Sequence, residues 1–164
     1  MYQNYIFDLY GTLVDINTNE GKPYLWKKTA ELYAYHGAHY TPAEFKKAYL
    51  LSNAQEMFTK HEMIALGIYD KFDGIVFSSD EGLCKPEEKF FRTVVERYGL
   101  NINECIMIGN DAGTDIKGAN LIGMDSLYIH SDISPKITDL TGADIPATYK
   151  IMDGDFTKIR ELVL

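Results

Sequence analysis

The amino-acid sequence predicts an α/β domain, a doubly wound (Rossmann-like) parallel sheet with helices on both faces. Short apolar runs alternate along the chain with amphipathic segments, as they do where strands are joined by crossover helices. Four of those runs are followed directly by polar residues able to bind ligands, and open parallel sheets bind ligands beyond the carboxyl ends of their strands. A length of 164 residues suits one domain, 1–164, with a real core.

Residues 4–9 form the first expected strand, and Leu50 and Leu51 the centre of the second. Residues 74–78, 105–109 and 126–130 give three more, and 149–152 a short edge strand. The spacing predicts a helix over 86–98, with Phe90, Phe91, Val94, Val95 and Tyr98 on one stripe and Gly99 as a left-handed stop. Helices over 56–66 and 114–122 end in the same way at Gly67 and Gly123, and one over 156–163 follows Asp155, a natural N-cap. An aromatic-rich helix is expected over 23–35. Thr41, with Glu44 three residues on, opens another that runs through Ala48. It meets the second strand with no turn residue between them, although a helix and a buried strand need a connection of a few residues. The junction therefore predicts that a segment is missing near residues 48–50.

The polar residues after the strands carry the chemistry. Asp8 ends the first strand and opens the run Asp8-Leu9-Tyr10-Gly11-Thr12, which sets a carboxylate beside free backbone N–H groups. Such a carboxylate can attack phosphorus or carbon and form a covalent intermediate. Ser52 and Asn53 follow the second strand, a hydroxyl and an amide suited to an oxyanion. Lys85 follows the third, before Pro86 at a helix start. Asn110, Asp111 and Asp115 follow the fourth, and the two carboxylates supply the charge that Mg²⁺ prefers. Each piece alone is ordinary turn or loop chemistry. In this order, each after its own strand, they make coincidence improbable.

Together these residues resemble the motifs of the haloacid dehalogenase superfamily: an Asp-x-(Asp or Tyr)-Gly-Thr run, a strand-terminal Ser or Thr, a Lys and an acidic loop. The resemblance implies Asp8 as nucleophile, Ser52 and Lys85 as binders of the transferred group, and Asp111 as a magnesium ligand with Asp8 and the carbonyl of Tyr10. It gives Asp115 and Asn110 supporting parts, and leaves Thr12 and Asn53 to position the first-motif loop and the phosphoryl oxygens. It also implies a helical cap between the first two strands. Only 44 positions separate Asp8 from Ser52 (52 − 8), so residues 17–48 are expected to form a short or truncated cap.

The implied activity is a magnesium-dependent phosphatase acting through an aspartyl-phosphate on a small phosphorylated metabolite. Tyr10 complicates it, because most such phosphatases carry an acidic proton donor two positions after the nucleophile. A phenol, with a pKa of about 10, matches that task poorly, so good leaving groups are expected to be favoured. Tyr at this position also resembles 2-haloacid dehalogenases, the alternative reading. Those use an early Arg, whereas this chain has only Arg92, Arg97 and Arg160. A third reading is a phosphate- or metal-binding core with little turnover, disabled by its short cap. His61-Glu62 opens like a zinc-protease helix, but Ala65 stands where the second His belongs.

Composition bounds the partners. A net charge of −8 disfavours nucleic acid, and no apolar run is long enough to span a membrane. No basic leader precedes the first strand, and Cys84 and Cys105 lack metal or redox spacing, so a cytoplasmic protein with reduced thiols is expected. An aromatic cluster over residues 24–40 makes a homodimer possible. Asp80 and Glu81 read as a solvated loop.

Overall fold

The computed structural model describes residues 2–14, 47–136 and 142–163. The expected cap over 17–48 and the helices over 23–35 and 41–48 lie outside them, apart from Lys47 and Ala48. Six strands form one sheet in the order β3-β2-β1-β4-β5-β6. They are β1 (Asn4–Phe7), β2 (Ala48–Ser52), β3 (Gly74–Phe77), β4 (Cys105–Gly109), β5 (Asp125–Ile129) and β6 (Tyr149–Ile151). Every neighbouring pair is parallel.

Side chains on a strand alternate between the two faces of the sheet, and the core divides accordingly. Tyr5, Phe7, Leu50, Ile106, Ile108, Leu127 and Ile129 belong to one buried cluster. Ile6, Tyr49, Leu51, Val76, Cys105 and Met107 belong to the other. Helix α1 (Glu56–Ala65) and helix α5 (Lys158–Val163) cover the first face through Met63, Ile159 and Val163. Helices α3 (Glu88–Tyr98) and α4 (Lys117–Leu121) cover the second. In α3, Phe90, Phe91 and Val94 are fully buried, each worth about 1.5–3 kcal/mol relative to exposure.

Three expectations need correction. The helix predicted through Ala48 cannot reach that far. Ala48 is the first residue of β2, in register with Tyr5, and its N–H donates to Asp73 Oδ2 at 2.8 Å. Asp80 and Glu81 are not loop: they lie in a short helix, α2 (Ser78–Glu81), and Glu81 accepts from Arg97 at 2.6 Å. The segment after β4 opens as a wide π-helical turn, Ala112–Ile116, before α4 begins. Asp111 caps this turn, its side chain accepting from the Gly113 N–H.

The topology decides where a ligand can sit. From β1 the chain moves outward to β2 and β3, then returns to lay β4 on the other flank of β1. The strand order reverses between β1 and β4, and a crevice opens outside the carboxyl ends of those two strands. Asp8 follows one, and Asn110 and Asp111 follow the other.

Candidate active site

Asp8 is fixed first by the backbone. Its N–H donates to the Ile108 carbonyl at 2.9 Å, which carries the β1–β4 pairing one residue past the strand. The chain then turns sharply. The N–H groups of Leu13 and Val14 both donate to the Leu9 carbonyl, and that of Gly11 to the Val14 carbonyl. Gly11 takes a left-handed φ of 80°, and a Cβ there would lie 2.3 Å from Asn110 Nδ2. Glycine thus answers both the backbone angle and the close approach of the β4 loop.

Lys85 is the centre of the charge arrangement. Its Nζ lies 2.5 Å from Asp8 Oδ1 and 2.7 Å from Asp115 Oδ1, and its side chain is almost wholly buried. Burial opposes its charge, but Asp115 and Asp8 outweigh burial and hold its pKa above the ordinary lysine value. One ammonium cannot neutralise two buried carboxylates. Burial first, and then the nearby Asp8, push Asp115 up to about 6 against the pull of Lys85. Asp115 comes this close because Gly109 has no side chain: a Cβ at Gly109 would lie 2.3 Å from Asp115 Oδ2. That same oxygen accepts from the Asp111 N–H at 3.1 Å.

Asn53 has a job its sequence position did not announce. Its Oδ1 accepts from the Lys85 N–H at 2.7 Å, and its Nδ2 donates to the Lys85 carbonyl at 3.1 Å. The amide expected to bind an oxyanion is engaged by the backbone of Lys85 and holds that residue in place. The Lys85–Pro86 peptide is cis, and α3 starts at Glu88 rather than at Pro86. Thr12 Oγ1 lies 3.3 Å from Asp8 Oδ2 and 3.4 Å from Asn110 Oδ1, so it ties the first-motif loop to the β4 loop. Asn110 Nδ2 in turn reaches Ser131 Oγ and Ser134 Oγ, each at 3.3 Å.

A cavity of 250 Å³ brings the expected residues together. Asp8, Tyr10, Ser52, Asn53, Lys85, Asn110, Asp111 and Asp115 all line it. Thr12 is buried behind it. The sequence reading missed Ile133 and Pro135, which form an apolar part of the wall. They follow β5, so applying the strand-end rule to a fifth strand would have found them. A larger depression of 510 Å³ lies beside α1 and is lined by Met57, Ser79, Leu83 and Glu87 among others. None of the motif residues lines it, so the smaller cavity is the candidate active site.

Asp8, Asp111 and Asp115 face one ammonium in this cavity, which leaves it with surplus negative charge. That charge opposes an anionic substrate unless a cation accompanies it. Among the described residues no three acidic, imidazole or thiol side chains form a metal cluster on their own. Asp8, Asp111 and Tyr10 all line the cavity, and the two carboxylates with the Tyr10 carbonyl would be the donors to such an ion. That set fits Mg²⁺, which takes one or two carboxylates and keeps several waters.

A model of haloacid dehalogenase-like hydrolases matches residues 32–123, and the chain belongs to that family. The glyceraldehyde 3-phosphate phosphatase of Methanothermobacter thermautotrophicus is 31% identical over 85 residues, covering 52% of this chain and 38% of that protein. Among solved structures, the Bacillus subtilis protein YfnB, bound to magnesium, aligns with a TM-score of 0.68 at 17% identity, covering 96% of this chain and 97% of that one. The L-2-haloacid dehalogenase of Xanthobacter autotrophicus aligns at 0.66 and 17% identity, covering 99% and 98%. At those identities the two structures speak for the fold. The chain spans less than half the length of the curated relatives it matches. No helix among the described residues is long and apolar enough to cross a membrane.

Proposed function

We propose that this chain is the core of a magnesium-dependent phosphohydrolase that acts through an aspartyl-phosphate on a small phosphorylated metabolite. The observation that carries the reading is the Lys85 ammonium 2.5 Å from Asp8, in a cavity that also holds Ser52 and Asp111. Asp8 attacks phosphorus, while Lys85 and Ser52 hold the non-bridging oxygens. Asn53 keeps Lys85 in place through its backbone, and Asp115 anchors the ammonium from the far side. Asp8, Asp111 and the Tyr10 carbonyl would hold the magnesium ion. When bound, it would screen the phosphate from the carboxylates and draw charge from its oxygens. The curated relative named a glyceraldehyde 3-phosphate phosphatase supports a phosphorylated substrate.

The dehalogenase reading asks the cavity to take a carboxylate substrate without a metal. No Arg lines the cavity among the described residues, and Arg92 and Arg97 pair with Glu88 and Glu81 elsewhere. The surplus negative charge opposes it further.

The test is hydrolysis of p-nitrophenyl phosphate with magnesium and with EDTA, beside chloride release from 2-chloropropionate. Phosphate release that EDTA abolishes is expected. Chloride release without it, insensitive to EDTA, would overturn the reading in favour of the dehalogenase.

A further inference from the structure

Tyr10 lines the reaction cavity with Asp8, yet its hydroxyl is already engaged. It donates to Glu62 Oε2 at 2.5 Å and lies 3.1 Å from Thr59 Oγ1. Thr59 and Glu62 stand three positions apart on α1, so they share one face of that helix and meet the phenol together. A phenol has one proton to give, while a threonine hydroxyl can donate as well as accept. The arrangement that satisfies all three groups sends the Tyr10 proton to Glu62 and the Thr59 proton to the phenolic oxygen.

Resting on the phosphohydrolase reading above, we infer that Glu62 and Thr59 are positioning residues that withhold the Tyr10 proton from the leaving group. The site thereby selects phosphoryl donors whose leaving oxygen departs as an anion, the acyl and activated aryl phosphates. In the first step an Asp8 oxygen bonds to phosphorus as the bond to the leaving oxygen breaks, and the electron pair stays on that oxygen. A carboxylate or activated aryloxide carries the pair without a proton. An alkoxide needs one, and Tyr10 could supply it only by leaving Glu62. Breaking a hydrogen bond to a charged acceptor costs about tenfold to a hundredfold in rate. In the second step a water oxygen bonds to phosphorus and the Asp8–phosphorus bond breaks. Its electron pair returns to the Asp8 carboxylate, and the proton of the water passes to solvent.

The experiment compares kcat/KM for p-nitrophenyl phosphate with that for glycerol 2-phosphate, using the full chain with magnesium. The wild type is expected to favour the aryl ester by about a hundredfold or more. Glu62→Leu frees the phenol and is expected to narrow that ratio by about tenfold. Glu62→Gln keeps an acceptor for the proton and is expected to restore the wild-type ratio. Glu62→Ala removes the same acceptor with a smaller side chain, is expected to narrow the ratio in the same direction, and serves if the leucine variant does not fold. A wild-type ratio near unity overturns the inference. So does a ratio that stays constant in Glu62→Leu. So does one that widens, since Glu62 would then be orienting a proton-donating Tyr10. Loss of the phosphohydrolase reading looks different: the wild type would then fail to hydrolyse p-nitrophenyl phosphate at all.

Discussion

Lys85 Nζ lies 2.5 Å from Asp8 Oδ1, an ion pair between residues 77 positions apart in the chain. It joins the end of β1 to the turn beyond β3, and Asp115 extends it to the segment after β4. Three separate strand ends thus meet on one ammonium, so the contact that organises the chemistry also ties the fold together.

Replacing Lys85 with Met should show both consequences. Two buried carboxylates would then face one another without a counter-charge, and breaking such a pair costs about 3–5 kcal/mol. Urea denaturation should register a loss of that size, together with loss of turnover. A variant as stable as the wild type would show that the ion pair contributes nothing net to the fold.

Asp115 predicts a particular pH dependence. Its carboxyl is held at about 6, against an ordinary value of 3.8. The folded state therefore keeps a proton that the unfolded chain releases between those two values. The contribution of this group to stability is greatest below about pH 4, falls as pH rises toward about 6, and is flat above. Asp115→Asn should remove that decline. Denaturation of both proteins in EDTA across pH 4–7 measures it together with its coupling to Asp8, since carboxylates remote from the Lys85 ammonium cancel in the difference. Parallel curves would contradict the assignment.

Much of the fold was legible because buried parallel strands read as continuous apolar runs. The run 105–109 is strand from end to end, and the Phe90, Phe91, Val94 and Val95 stripe is the buried face of α3. The candidate site was legible where its residues close a strand or lie within two positions of its end, as Ser52, Asp8 and Asp111 do. It was illegible where a role depends on packing between distant segments. Nothing local in Glu62 announces Tyr10, and nothing in Asn53 announces the backbone of Lys85. The helix expected from 114 begins instead as a wide turn, because Asp115 must reach inward to Lys85 while Asp111 caps the segment.

The two thiols should behave differently. Cys84 is exposed, and Cys105 is fully buried, with its thiol donating to the Asn101 carbonyl. Burial pushes Cys105 up to about 11, so little of it is thiolate at neutral pH. Iodoacetamide at pH 8 should label Cys84 alone in the native protein, and both residues in urea. Equal labelling without denaturant would contradict the packing of the sheet around β4.

The most direct test of the central claim asks whether Asp8 itself becomes phosphorylated. The chain is mixed with p-nitrophenyl phosphate and magnesium, quenched in acid, digested, and the peptide carrying Asp8 examined by mass spectrometry. The predicted result is an acid-trapped phosphate on that peptide, absent with EDTA and absent in Asp8→Asn. Turnover that proceeds with no phosphate trapped on Asp8, and that survives Asp8→Asn, would contradict the account.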